Sequence, residues 1–281
     1  MTRKANGAKA IQTQDWVNDK ISEGDIEGGM SAGQSGTSIF DPVLCELAYR
    51  WFCPPGGLIL DPFSGGSVRG IVASVLGRPY FGIDLSARQI AANIDQAAKI
   101  CRDPAPQWTV GDSRNIDRLA NGLAADFIFS CPPYADLEIY SDDPQDLSTL
   151  TYPEFREAYS EIIAKACALL KPDRFACFVV GDVRGKDGAY YGFVPDTVAA
   201  FQAAGLKYYN EAILVTAAGS LPIRAAKQFE ATRKLGKTHQ NVLVFCKGDP
   251  KKATAAIGPV EFGDFGAEAP EGGDAQFGEA L

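Results

Sequence analysis

A chain of 281 residues, 46% hydrophobic and 22% charged, is long enough for one sizeable core with loose ends. It holds no apolar run near the ~18 residues of a membrane span, and its first thirty positions lack the pattern of a secretion signal. A cytoplasmic protein with no membrane partner is therefore expected, and its net charge of −8 is uneven, with six acids and no base in residues 261–281.

The first 36 residues mix polar residues with Gly and Ser and read as a flexible arm, with a short helix near Trp16. From Ile39 onward, strand-like and helix-like runs alternate. LILDP (58–62) is a short apolar strand stopped by Asp-Pro, and SVRGIVASVLG (67–77) has helical spacing of its apolar residues. PYFGIDLS (79–86) is a second strand, ARQIAANIDQAAKI (87–100) a second helix, WTVGDS (108–113) a third strand and DFIFSC (126–131) a fourth. A long amphipathic helix (152–170), a strand (174–182) and a further helix (193–206) follow. The strands EAILVT (211–216) and QNVLVFCKG (240–248) close the pattern. Such alternation predicts an α/β fold: a doubly wound, mostly parallel, seven-stranded sheet with helices on both faces and ligands outside the carboxyl ends of its strands. The domain is placed at 37–248, with a short basic insertion at 217–239 and a disordered acidic tail at 249–281.

The seven cysteines show no CxxC spacing, and His239 is the only histidine, so no metal site is expected. Cys45, Cys167, Cys177 and Cys246 sit in apolar runs and read as buried small hydrophobes of a reducing compartment.

The strand ends carry the chemistry. The first strand runs into Asp61-Pro62-Phe63-Ser64-Gly65-Gly66-Ser67, a glycine-rich turn without the GxGxxG spacing of a dinucleotide site. Asp61 would repel a pyrophosphate there but would welcome a cation, which fits S-adenosyl-L-methionine rather than NAD. Asp84 and Leu85 end the second strand, where an acid commonly holds ribose hydroxyls. Asp112 and Ser113 end the third, where a carboxylate accepts from an adenine amino group. After the fourth strand comes Cys131-Pro132-Pro133-Tyr134. Two prolines stiffen the backbone and keep their carbonyls free as acceptors for an exocyclic amino group, while Tyr134 offers a ring for stacking a flipped base.

DPFSGGSVRG, followed by LGRPYFGIDLSARQIAANI, resembles the cofactor motif of amino-methylating DNA methyltransferases, in particular β-class sequences reading DPFxGSGTT. SCPPY resembles their catalytic motif, and SIFDPVLCELAYRWFCPPGG (38–57), with Phe40, is similar to the segment closing over the methionine end of the cofactor. The resemblance covers roughly residues 37–248 and implies a Rossmann-like methyltransferase of prokaryotic or phage restriction–modification type. Asp61 through Ser67, Asp84, Leu85, Asp112, Ser113 and Phe40 would hold the cofactor, and Cys131 through Tyr134 the base.

Three departures stand beside it. The cofactor motif precedes the catalytic one, no separate recognition domain is visible, and Cys131 replaces the usual Asp, Asn or Ser. DNA is the implied partner, contacted by Arg184, Lys186, Arg224, Lys227, Arg233, Lys234 and Lys237, with sequence choice left to these segments or to a separate specificity partner. Amino methylation, cytosine N4 ahead of adenine N6, is the leading reading. C5 methylation through Cys131 as nucleophile, RNA methylation and a non-catalytic nucleoside-binding subunit stay open. The acids Asp136, Glu138, Asp142, Asp143 and Asp146 are read as acceptors for the target's amino group or neighbouring bases, as a gate that pairs with the basic insertion when no substrate is bound, or as a solvated lid.

Overall fold

The computed structural model describes residues 40–134, 141, 143–216 and 221–260; the side chains of 221–224 are not among them. The arm with Trp16, residues 261–281, Asp136, Glu138 and Asp142 lie outside the described residues. Seven strands form one sheet: β1 Ile59–Asp61, β2 Tyr80–Asp84, β3 Gln107–Val110, β4 Ala125–Ser130, β5 Leu170–Val180, β6 Lys207–Val215 and β7 His239–Lys247. The helices are α1 Pro42–Phe52, α2 Val68–Val75, α3 Ala87–Ile100, α4 Ile116–Leu119, α5 Tyr152–Leu169, α6 Phe193–Ala203, α7 Leu221–Thr232 and α8 Pro250–Ile257. None is long and apolar enough to cross a membrane.

Strand order is β3-β2-β1-β4-β5-β7-β6, parallel except for β7, which runs antiparallel to both of its neighbours. This is the doubly wound, mostly parallel α/β architecture expected from the alternation. The order reverses between β1 and β4, paired through Ile59–Phe127 and Leu60–Ile128, so the crevice outside their carboxyl ends is the switch point where such sheets take ligands. Antiparallel β7 brings its first residues, not its last, to that end: Asn241 pairs with Val180, the last residue of β5.

Local signals explain the helix starts. Asp41 caps α1, accepting from Val43 N–H at 2.8 Å, with Pro42 in the first turn. Ser86 caps α3, and Glu154 reaches back to the Thr151 N–H at 3.0 Å to open α5. β4 is buried along all six residues, as befits the central strand of a sheet covered on both faces. Its alternation splits the core. Ile128 joins Leu60, Phe178, Phe245 and the buried faces of α5 and α6. Phe127 and Phe129 join Tyr80, Cys177 and the buried residues of α1 and α8 on the other face. The four cysteines read as buried are buried.

Two elements differ from the sequence pattern. Asp249 and Pro250 start α8 inside the segment expected to be disordered; Ala253 and Ile257 are buried in the core, so the folded unit runs past 248. Alanine and lysine favour a helix, but with a docking face only two residues wide the segment shows little apolar periodicity. β6 begins at Lys207, four residues before the predicted strand, because pairing with β7 extends it. It is the exposed edge of the sheet, and its register shifts between Tyr208 and Asn210.

Candidate active site

The glycine turn leaves β1 at Asp61, whose side chain is fully buried. Its Oδ2 accepts from Arg69 Nε at 2.6 Å and Tyr80 Oη at 2.7 Å; its Oδ1 accepts from Ser130 Oγ at 2.5 Å and the Phe63 N–H at 3.1 Å. Arg69, on α2, also donates to the Phe63 and Ser64 carbonyls at 2.5 and 2.9 Å, and its guanidinium lies 4.9 Å from the centre of the Phe40 ring. Burial works against the Arg69 charge, but Asp61 beside it more than compensates and raises its pKa.

This changes the role expected of Asp61. Its charge is answered inside the protein, and its oxygens already have four donors, so it anchors the turn instead of presenting a bare carboxylate to a cation. The guanidinium that answers it lies eight positions along the chain in an apolar helix, where the sequence pattern gave no hint.

The turn is braced from other sides as well. Gly65 N–H donates to Asp84 Oδ2 at 2.9 Å, Asn93 Nδ2 donates to the Gly65 carbonyl at 2.7 Å, and Ser67 Oγ donates to Gln96 Oε1 at 2.5 Å. Asn93 and Gln96 come from one face of α3 and were missed as site residues, because within that helix they read as ordinary polar positions. Burial pushes the Asp84 carboxyl up from its ordinary value, while the N–H groups of Ser86 and Gly65 act the other way.

Gly65 takes φ +46°, and a Cβ on Gly65 or Gly66 would meet nothing within 4 Å. The turn thus presents bare backbone to open space at the switch point, a cradle with room for a ligand. Pro62 and Ser64 are buried, and Phe63 packs its ring into the core against Tyr159 and Phe178. These three shape the turn from behind.

At the end of β3, Asp112 caps a short 3-10 turn and pairs with Arg114 at 2.7 Å, while buried Ser113 donates to the Pro62 carbonyl at 2.5 Å. Ser113 therefore ties the end of β3 to the glycine turn. Beside Asp112 lies an open depression lined by Gly111, Asn115, Arg118, Leu119 and Gln145. Leu85 is half-buried just beyond β2.

Cys131-Pro132-Pro133-Tyr134 leaves β4 next to this turn, the two segments sharing Asp61 through Ser130 and Phe63. Pro132 is buried, and Cys131, Pro133 and Tyr134 are half-buried. The Tyr134 hydroxyl accepts from Gln240 Nε2 of β7, and its ring meets Phe193 edge-on with centroids 5.9 Å apart. Burial raises the Tyr134 pKa, the neighbouring Cys131 thiol adds to the rise, and the Gln240 donor opposes it. Gln240 lies 106 positions from Tyr134, and only the reversal of β7 brings them together.

Three of the basic residues, Arg184, Lys234 and Lys237, gather on the loop around Gly188 and Tyr190 that follows β5. Arg184 lies 3.8 Å from the centre of the Tyr190 ring and donates to the Gly188 carbonyl at 2.8 Å. Lys237 Nζ is 5.9 Å from the same ring centre and 4.0 Å from Asp182. Lys234 packs on the same loop: a Cβ on Gly188 would fall 2.5 Å from its Nζ. Lys186 is exposed at the loop tip, Lys227 is exposed on α7, and exposed Arg233 lies over the Phe229 ring at 5.2 Å. The Arg224 side chain is outside the described residues. Of the acidic run, Asp143 and Asp146 satisfy local turns, accepting from the N–H groups of Gln145 and Ser148. Among the described residues, no cluster of three or more His, Cys, Asp or Glu side chains is arranged to hold a metal ion.

No family model and no curated protein matches this sequence. Several solved structures align with the chain at low identity. TrmN from Thermus thermophilus aligns at 17% identity and a TM-score of 0.49, over 77% of this chain and 51% of its own, so the chain spans about half the length of that protein. A TehB-like SAM-dependent methyltransferase from Corynebacterium glutamicum ATCC 13032 Kitasato aligns at 19% and 0.44, over 85% of this chain and 97% of its own. Magnesium protoporphyrin IX methyltransferase (ChlM) from Synechocystis PCC 6803, with bound SAM, aligns at 14% and 0.49, over 88% of this chain and 100% of its own. Likeness at this level carries nothing about substrate.

Proposed function

We propose that this chain is a methyltransferase that moves a methyl group from S-adenosyl-L-methionine to an exocyclic amino group of a base in DNA, cytosine N4 ahead of adenine N6. The observation that carries the reading is one juxtaposition. An open glycine turn at the end of β1 and a diproline corner at the end of β4 meet at the switch point, held by the same carboxylate oxygen of Asp61.

The cofactor supplies an electrophilic methyl group on a sulfonium. The protein's part is alignment. Gly65 and Gly66 let the backbone approach the ligand, Asp84 accepts from ribose hydroxyls, and the depression beside Gly111 and Leu119 takes the adenine. At the corner, the Cys131 and Pro132 carbonyls accept from the amino group, which turns the nitrogen lone pair toward the cofactor. The Tyr134 ring, fixed by Gln240 and Phe193, stacks the base. Arg184, Lys186, Lys227, Arg233, Lys234 and Lys237 meet backbone phosphates, where charge rather than sequence sets affinity.

Mass spectrometry of nucleosides from DNA and from RNA incubated with the protein and cofactor tests the reading. N4-methylcytosine or N6-methyladenine in the DNA is expected; C5-methylcytosine, or product in RNA alone, would replace the reading. Tyr134→Ala is expected to weaken substrate binding by ~1–3 kcal/mol through lost stacking, measured as Kd for a single-stranded oligonucleotide.

A further inference from the structure

The Asp61 cluster has a property that stabilisation of the fold does not require. Its donors come from four places: Phe63 in the glycine turn, Arg69 on α2, Tyr80 on β2 and Ser130 at the end of β4. Oδ2 serves scaffold on the β1–β2 side, through Arg69 and Tyr80. Oδ1 serves the two segments that flank the crevice, through the Phe63 N–H at 3.1 Å and Ser130 Oγ at 2.5 Å. Asp61 and Ser130 are both fully buried, and Arg69 is 5% exposed, so water does not screen the contacts. Ser130 directly precedes Cys131, and it spends its hydroxyl proton on Asp61 and not on a base in the pocket.

We infer that Ser130 and Asp61 are positioning residues that couple the cofactor turn to the catalytic corner, so that ordering of the turn by ligand is transmitted to Cys131–Tyr134 through a single carboxylate oxygen. The inference deepens the methyltransferase reading and depends on it for the identity of the ligand. Physically, the turn cannot shift without moving Oδ1, and Oδ1 cannot move without pulling on Ser130. Prolines 132 and 133 leave the corner few backbone freedoms with which to absorb that pull. Charge-assisted bonds of this kind are short and directional, which suits them to fixing a relative position.

The test uses the full-length protein and S-adenosylhomocysteine, read by calorimetry, hydrogen–deuterium exchange and methylation rate. In the parent, ligand is expected to slow exchange both in residues 63–67 and in a peptide covering 129–134. Ser130→Ala is expected to keep ligand Kd within about threefold and to keep protection of the turn. It should lose protection of 129–134, with kcat down roughly ten- to a hundredfold from misalignment. Tyr80→Phe removes a hydroxyl donor from the same carboxylate on the β2 side and controls for plain destabilisation. It should lower Tm about as much, keep protection of both segments, and lower kcat at least fivefold less than Ser130→Ala. Protection of 129–134 that survives in Ser130→Ala, or equal kcat losses in the two variants, would overturn the coupling. A parent that binds no S-adenosylhomocysteine and methylates neither DNA nor RNA would instead remove the methyltransferase reading, and the coupling with it.

Discussion

Around β1, β2 and β3, the glycine turn is fastened by side chains from several elements at 2.5–3.1 Å, through Asp61, Asp84, Asn93, Gln96 and Ser113. Around β5, β6 and β7, the basic segments touch one another through Lys237, 4.0 Å from Asp182 and 5.9 Å from the centre of the Tyr190 ring, while Arg233 rests on Phe229 of its own segment. Phe229 and Leu235 are 45% and 72% exposed there. The first half is built as a mould and the second as an adaptable surface. A small ligand of one shape gains from a site organised in advance, because less freedom is lost on binding. A polymer of variable local shape is better met by long side chains that can still move.

The largest effect that would break this contrast lies in the mould. Asp61→Ala leaves the Arg69 guanidinium buried and uncompensated, and is expected to destabilise the protein by about 3–5 kcal/mol in urea unfolding. A loss below about 1 kcal/mol would show that the cluster is not a structural anchor. Next comes Gly66→Val, which puts a side chain into the open space over the turn. S-adenosylhomocysteine affinity should fall at least tenfold, about 1.4 kcal/mol. The melting temperature should barely change, since a Cβ there meets nothing within 4 Å. A large fall in Tm with affinity intact would mean that the turn is not a binding surface. Smallest is the joint change Lys234→Ala and Lys237→Ala on the adaptable side. DNA affinity should weaken similarly across sequences, the slope of log K against log salt should flatten by about 1–2, and stability should be nearly untouched. A sequence-selective loss would make these lysines readers of bases.

The contrast also marks what could be read in the chain. Strand alternation, the glycine turn and the diproline corner are local patterns, and each of them lies at the expected place in the sheet. The partners that fix them are not local. Arg69 reaches Asp61 from the buried side of α2, and Asn93 reaches Gly65 only because α3 packs back along β2 and β3. Gln240 meets Tyr134 through the reversed direction of β7. Such pairings follow from register and helix rotation, which hydrophobic periodicity does not specify. Ser113 carries a second tie of this kind: its hydroxyl donates to the Pro62 carbonyl, 51 positions away, which no local pattern indicates. α8 was missed because composition outweighed the Asp-Pro start signal.

β6 carries one more consequence. Eight of its nine residues are exposed, including Tyr208, Tyr209 and Ile213, and it lies at the margin of the sheet with one flank unpaired by any described strand. A long flat ribbon of that kind would be a template for a neighbouring copy to add a strand and start a fibre. The irregularity at Tyr209 breaks the even spacing of donors and acceptors, and Lys207 and Glu211 bracket it with charge. The opposite margin, β3, is only four residues long. Crowded molecules of this protein should therefore stay separate where an unkinked sheet of equal length would seed aggregates.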